Sequence, residues 1–422
     1  MQLEKPKLFP EKKTFIWFVT MMLFFLLLRL FFLYQSYEVF INNPFYYTNV
    51  TVMDAYEKNK HGKYYTVLKL KSNEGLTFYT TTHRKENFND KYLRLQIFPD
   101  KHISFRDYLG TFYVKSKIKH QEKIPKTDKN SLRNKVALQH SNKQMVSFYN
   151  AIFFATPLDK ILREKIALLG VSHLVALSGF HLGILWALVY GLLLLLYRPL
   201  QQKFFPYRHA LFDVGIVAMI LLGLYVWFVD YPPSLIRSYA MVFIGWVVLI
   251  LGMELLSFTF LVMVLLLLCV VFPSLLVSLA FWLSLIGVFY IFLLLQYTKE
   301  WNKWMITLWV IPIGIFVLML PVVHTVFGMT SSYQMLSPLL SILFIPFYPL
   351  AILLHLLGLG GFFDTYLMKL FTLPTQSVES LLPLWSVLIY GGLSITAIWY
   401  RKVFYVVCGL ATGYGIYLFM LT

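Results

Sequence analysis

Apolar residues gather along this chain in runs of about twenty, the length that crosses about 30 Å of hydrocarbon as a helix. One run extends from Phe15 to Tyr34. Others cover roughly 174–197, 211–229, 234–253, 255–272, 275–296, 304–322, 336–357, 383–399 and 403–420. Each predicts a transmembrane helix. The interval after the first run is different in kind. Tyr, Thr and Val alternate there with polar residues over Phe45–Tyr56, Tyr64–Leu70, Leu76–Thr82, Tyr92–Phe98 and Thr111–Ile118. Asn59-Lys60-His61-Gly62 and Ser72-Asn73-Glu74-Gly75 read as turns between them. Short strands at that density suit a small barrel, of which the OB-fold is one. The predicted fold class is a polytopic α-helical membrane protein with a small extracytoplasmic all-β, OB-like domain.

The pattern divides the chain into a basic cytoplasmic N-terminus at 1–14, a transmembrane helix at 15–34, the β domain at 40–120, a linker with an amphipathic helix at 121–170, and a transmembrane domain at 171–422. Lys123, Lys126, Lys129, Arg133 and Lys135 mark the linker. Helical periodicity then resumes from residue 136. Leu158, Ile161, Leu162, Ile166 and Leu169 line one face, opposite Asp159, Lys160, Arg163, Glu164 and Lys165. Thr156-Pro157 signals the helix start. Such a helix is expected to lie at the membrane surface.

Basic residues orient the bundle. Lys5, Lys7, Lys12 and Lys13 precede the first run and no small-residue cleavage site follows it, so it reads as a retained helix with its basic end in the cytoplasm. Placing Arg198, Lys203 and Arg208, then Lys299 and Lys303, on the inside leaves the β domain outside. One stretch resists this count. If 336–357 crosses fully, Arg401 and Lys402 end up outside unless 361–380 also crosses or 336–357 is broken. Pro338, Pro346 and Pro349 are compatible with a broken or re-entrant segment.

Only 14% of residues are charged, against about a quarter in soluble domains, and 18% are aromatic, which suits a chain that meets lipid. Net charge is +17, and between Gln35 and Lys143 there are 20 Lys and Arg against 10 Asp and Glu. A basic soluble face has two common partners, anionic lipid and nucleic acid. Plain solubility and topology control account for the same excess. Cys269 and Cys408 lie in apolar runs and read as small core residues. No zinc-ligand spacing occurs, and no metal or other cofactor is expected.

Polar residues inside the apolar runs carry the candidate chemistry. Val171-Ser172-His173-Leu174-Val175-Ala176-Leu177-Ser178-Gly179-Phe180-His181-Leu182-Gly183 opens the second run. Polar groups at membrane depth are costly and usually face a bundle interior. Read as one helix, Ser178 and His181 share a face and His173 lies two turns, about 12 Å, away. Gly179 and Gly183 form a small-xxx-small pair for close helix contact. A packing seam with satisfied polar side chains explains the same spacing. In Asp230-Tyr231-Pro232-Pro233-Ser234-Leu235-Ile236-Arg237 the prolines start a helix and place Arg237 one turn inside it. Arg at a lipid-facing centre costs about 2.5–3.5 kcal/mol, so Arg237 either snorkels to the interface or lines a polar path. Ser331-Ser332-Tyr333 and Ser337-Pro338 form a third polar break, while His324 and His355 read as packed residues.

The stretch Thr156-Pro157-Leu158-Asp159-Lys160 through Gly170-Val171-Ser172-His173-Leu174-Val175-Ala176-Leu177-Ser178-Gly179-Phe180-His181 resembles the ComEC competence family. Pro233-Ser234-Leu235-Ile236-Arg237 is similar to a second mark of that family. Phe272-Pro273-Ser274-Leu275 with Ala280-Phe281-Trp282-Leu283-Ser284 is similar to a third, and Ser337-Pro338 to a fourth. The resemblance covers about residues 150–400. It implies a competence-type channel domain that carries single-stranded DNA across the bacterial inner membrane during natural transformation. Membrane lipid, a periplasmic DNA receptor, cytoplasmic translocase and single-strand-binding proteins, and further copies of the chain are the partners it implies. This chain reads as a short form, without the outer-domain cysteines and the C-terminal metallo-β-lactamase-like domain of many members, so strand degradation is either not expected here or expected of another protein.

A phosphate in hydrocarbon would cost tens of kcal/mol by a Born estimate, so a strand needs a continuous polar path. His173, Ser178, Gly179, His181, Ser234, Arg237 and Ser337 are the expected lining. In the outer domain Lys63, Lys69, Lys71, Arg94, Lys115 and Lys117 are the expected DNA contacts, interleaved with aromatics on which bases stack. No enzymatic role is expected. Two other classes compete: a small-molecule or lipid transporter, for which an internal repeat is expected and none is seen, and an intramembrane serine hydrolase using Ser178.

Overall fold

The structure is a computed structural model that describes residues 8–60, 63–84, 86, 88, 91–123, 128–252, 257–373 and 376–422. His61 and Gly62 of the first predicted turn, Lys5, Lys7 and Lys126, and the join at 253–256 between two predicted runs lie outside the described residues. The chain forms two compact units, one of Phe9–Asn130 with Val262–Phe281, the other mainly of Ser131–Leu261 and Trp282–Thr422.

The first unit opens with α1, Lys12–Asn42. At 31 residues, about 46 Å, it outruns the predicted 15–34 segment. Its last turns are held by protein: Phe40 is buried in the core of the β domain, and the Tyr37 hydroxyl donates to the Ile103 carbonyl at 2.7 Å. The strands follow as β1 Tyr46–Lys60, β2 Lys63–Ser72, β3 Thr77–Thr82 and β4 Lys91–Phe98. A short helix α2, Phe105–Leu109, has Ser104 and Asp107 capping each other. Then come β5, Thr111–Tyr113, and β6, Lys115–Lys123. Every strand predicted from alternation falls on one of these, because the inward positions are apolar: Val50, Leu68, Leu70, Phe78, Leu93, Leu95, Ile97, Phe112 and Val114 are all buried. Full burial of such a side chain contributes about 1.5–3 kcal/mol.

The strand order is β5-β3-β2-β1-β4-β6. β5 runs parallel to β3, and after Val114 the same segment pairs antiparallel with β4. The Val114 amide still donates to the Tyr79 carbonyl at 2.9 Å, so the ladder carries across the junction. Residues 111–123 thus act as one long strand that closes the sheet into a barrel.

The second unit is helical. The elements from the linker onward are α3 Asp128–Ala137, α4 Lys143–Phe154, α5 Lys160–Leu168, α6 Ser172–Val175, α7 Gly179–Phe204, α8 Ala210–Phe228 and α9 Pro233–Ile250. α10, Phe258–Val271, follows and falls mostly in the first unit. The chain then returns to the second unit with α11, Leu279–Tyr297, and α12, Lys303–Met305, which passes through a π-helical turn into α13, Ile311–Val323. The chain ends with β7 Met329–Thr330, α14 Ser337–Leu356, α15 Asp364–Thr372, β8 Val378–Glu379, α16 Leu384–Thr396 and α17 Arg401–Met420. Among the described residues of the whole chain, seven helices are long and apolar enough to cross a membrane, and three apolar ones are shorter.

Two expectations change. The region from 136 to 170 is not one surface helix. Asn142 caps α4, Ala155 ends it in the left-handed region at φ 57°, and Asp159 caps α5. α5 keeps the amphipathic pattern, with Leu162 and Ile166 buried, but α4 is covered over most of its circumference because Met145 and Phe148–Phe154 join the core around Phe344, Tyr348 and Ala351. α14, in turn, is continuous; Pro346 and Pro349 each remove a backbone donor without breaking it.

The path after α14 resolves the charge count. The Tyr297 hydroxyl donates to the Ala397 carbonyl at 2.6 Å and Gln296 Nε2 to the Ile398 carbonyl at 2.8 Å, so Arg401 and Lys402 share an end of the bundle with Lys299 and Lys303. At the far end of α13 the Leu382 amide donates to His324 at 2.9 Å, the Ser380 amide donates to Gly328 at 2.8 Å, and β7 pairs with β8. α14 starts beside that end, since Gln334 just before it bonds the Met329 carbonyl at 3.0 Å. The chain between Leu356 and Val378 therefore returns to where α14 began. It does so through α15, nine residues and about 13 Å, rather than through a second full-length helix.

Close helix contact is tightest, among the described glycines, between α8 and α9. A Cβ on Gly215 of α8 would fall 2.3 Å from Trp246 Nε1 of α9. Gly215→Ala is expected to destabilise the bundle by about 1–3 kcal/mol through overpacking. A lowered melting temperature of the purified protein, with less of it accumulating in membranes, is the measurement.

Candidate functional site

The motif segment is not one helix. α6 stops at Val175, Ala176–Ser178 are extended, and α7 begins at Gly179. The reason is local. Ser178 is the residue before α7, and its backbone amide donates to His181 Nδ1 at 3.3 Å, with Ser178 Oγ also 3.3 Å from that nitrogen and 3.4 Å from the His173 carbonyl. A side chain three residues in reaches back to a free amide at the helix start, a capping arrangement. It leaves the His181 proton on Nε2, because Nδ1 is accepting.

His181 is fully buried, its ring edge-on to Phe344 at 5.0 Å and to Tyr348 at 4.9 Å, both on α14. Its Nε2 has no hydrogen-bond partner among the described residues. His173, on α6, is exposed, with Nε2 3.4 Å from Ser341 Oγ. Arg237 is buried one turn into α9.

The other polar candidates bind the motif backbone directly. Ser234 Oγ donates to the Leu177 carbonyl at 2.8 Å, and Ser337 Oγ to the Gly170 carbonyl at 3.0 Å. Ser238 and Ser341, one turn further along, donate to the carbonyls of Ser234 and Ser337, each at 2.8 Å. Three segments that resemble family marks, distant in sequence, thus meet at residues 170–181. Sequence reading missed Ser238 and Ser341; their i+4 spacing from the two chosen serines was the available signal. The glycines part company. A Cβ on Gly179 would lie 2.9 Å from Ser238 Oγ, while one on Gly183 would meet nothing within 4 Å. Both glycines border an open apolar groove of about 570 Å³, with Phe180, Ile184, Ala187, Ile345 and Pro349.

The imidazole lone pair nearest the Ser178 hydroxyl, on His181 Nδ1, also accepts a backbone amide. His324 is bonded to Leu320 and Thr330, and His355 to Ala351 and His140. Among the described residues no group of three or more His, Cys, Asp or Glu is arranged to hold a metal ion.

In the β domain Lys69 and Lys71 point outward from β2, paired across the sheet with Tyr79 and Thr77 of β3. The row continues to Tyr113, beside Tyr79 on β5 and half exposed. Lys69 Nζ sits 5.9 Å from the Tyr79 ring centre. Arg94, Lys115 and Lys117 form a second exposed group on β4 and β6, Lys117 lying 5.6 Å from the Phe98 ring. Lys63 opens β2. Lys91 is committed elsewhere: it bonds Glu86 at 3.1 Å and holds that carboxyl below its usual range.

These features define a multi-pass membrane protein that carries a separate β domain. Residues 156–421 match the family described as Competence protein, and the chain belongs to that ComEC-like family, whose role is in DNA uptake. No curated protein and no solved structure matches the chain.

Proposed function

We propose that this protein conducts single-stranded DNA across the bacterial inner membrane during natural transformation, with the β domain on the outer side as an OB-like collector. The observation that carries the reading is the convergence of three motif segments, through Ser234, Ser337 and the Leu177 and Gly170 carbonyls, on a buried histidine whose Nε2–H is unpartnered. A buried polar group without a partner costs about 1–3 kcal/mol, so it marks a place kept for something other than stability. The described arrangement is closed: α14 covers His181 with Phe344 and Tyr348. Passage requires α14 to part from α7, letting water and a phosphate reach His181, Ser178 and Ser337 while Arg237 supplies charge. Few cations suffice, because a strand must bind weakly enough to leave. The barrel supports the collector role through its strand order and through the Lys69–Tyr79–Tyr113 row, which sits on the β2–β3 face that OB-folds use for oligonucleotides.

The test is uptake of labelled DNA in a strain lacking this protein: label is expected to reach the periplasm and stop there, and normal entry into the cytoplasm would refute the proposal. Ser178 separates conduction from hydrolysis. Ser178→Ala removes a helix cap at a cost of about 1 kcal/mol and is expected to keep most transformation, whereas Ser178→Leu is expected to block it. Complete loss with Ser178→Ala at normal protein level would favour the hydrolase.

A further inference from the structure

The three groups His140, His355 and Asp364 lie over 200 residues apart in part of their sequence spacing and meet away from the motif. His355 is on the last turn of α14, Asp364 opens α15, and His140 sits just before α4. His355 Nδ1 is 2.6 Å from the Ala351 carbonyl, which can only accept, so Nδ1 carries a hydrogen and Nε2 presents a lone pair. His140 Nδ1 lies 2.9 and 3.0 Å from the two oxygens of Asp364. An ionised carboxylate also only accepts, so this Nδ1 carries a hydrogen too. The two Nε2 atoms then face each other at 3.0 Å, a hydrogen-bond distance. With both rings neutral, two lone pairs would be in contact.

We propose that this cluster is a binding site for one proton, held on His140 between His355 Nε2 and the Asp364 carboxylate. The surroundings suit a cation. The His140 side chain is wholly enclosed, and the Tyr149 ring stacks on it at 4.4 Å and 8°, the face-on geometry in which an aromatic stabilises positive charge. The groups facing the pair are Asp364, Tyr149 and Phe153 of α4, and Gln139. Gln139 Nε2 donates to the His355 carbonyl at 3.1 Å and its Oε1 accepts from the Gly360 amide at 2.8 Å, which pins the backbone around the pair. A divalent metal fits less well. Two imidazoles on one tetrahedral zinc would stand roughly 3.3 Å apart, and third and fourth ligands are missing among the described residues.

The proton matters because of where it sits. The cluster fastens the end of α14 to the chain before α4, and α14 is the helix that covers His181. With the proton bound the end is latched; once it leaves, the lone pairs repel and the end is freed. This consequence rests on the reading that α14 closes the DNA path, but the proton site does not.

Asp364→Asn tests it. An amide can donate to His140 Nδ1, so a neutral chain from residue 364 through both histidines to Ala351 becomes complete without an added proton. In the full-length protein in nanodiscs, ring-nitrogen NMR of the ¹⁵N-histidine-labelled wild type is expected to show one ring protonated at both nitrogens, and Asp364→Asn is expected to lose that signal because its chain is complete with both rings neutral. The same ring signals in the two proteins overturn the proposal. So does a wild-type melting temperature lowered by a chelator and restored by zinc, which would assign a metal. If the variant fails to fold, ring-nitrogen NMR of the ¹⁵N-histidine-labelled wild type decides: one ring protonated at both nitrogens supports the site, and none so protonated in acid conditions refutes it. Neither readout involves DNA passage, so the site and the conduction reading can fail separately.

Discussion

Gly179→Leu is expected to reduce transformation by roughly 10- to 100-fold, while Gly183→Leu leaves it close to normal. The two glycines are one helical turn apart on α7 and read from the sequence as one small-xxx-small pair. Their surroundings differ. Gly179 stands against Ser238 of α9 with room for no side chain, at the point where the Ser234 hydroxyl holds the Leu177 carbonyl. A leucine there must push α7 from α9, costing about 1–3 kcal/mol and displacing Ser178, His181 and Arg237 relative to one another. Gly183 faces open space, so its leucine needs no rearrangement of the helices. Transformation frequency at matched membrane levels is the measurement. Equal behaviour of the two variants would mean that the junction of α7 and α9 is only a seam.

The second large effect is electrostatic. If Lys69, Lys71, Arg94, Lys115 and Lys117 each contact a phosphate, single-strand binding by the full-length protein in neutral-lipid nanodiscs falls with salt at a slope near −3.5, about −0.7 per contact. A fourfold rise in salt then weakens binding by roughly 100-fold. Replacing Lys69 and Lys71 by glutamine is expected to flatten the slope by about 1.4. Replacing Lys91, already paired with Glu86, is expected to change it little. Binding that ignores salt would remove the collector role and leave the barrel as a packing domain.

The strands were legible because their inward positions alternate strictly with polar ones and turn residues punctuate them. The closure of the barrel was not: Val114 is one more apolar residue, and nothing local says that the chain changes partners there. Helix lengths were legible from apolar runs, but the burial of α4 was not, since Phe148–Phe154 gains its cover from α14, nearly 200 residues later. Within the site, Ser234 and Ser337 were recoverable because the motifs carry them. Reading His173 to His181 as one helix failed because Ser178 and His181 cap each other, a competition between side chain and backbone that periodicity does not weigh. His324 is packed as expected, whereas His355 is half of a bonded pair whose other half, His140, lay in a stretch read only for its helical periodicity.

The continuous ladder through Val114 limits how the β domain can greet a partner. Along the seam of β3 with residues 111–116 no edge is left unpaired, so neither an extended peptide nor a neighbouring copy can join there by adding a strand; the open edge among the described residues lies elsewhere, where β1 runs past Thr51 with β2 on one side alone. Whatever docks there must be recognised by side chains standing on a finished surface. A nucleic acid, which has no backbone amides to offer to a sheet, loses nothing by that restriction.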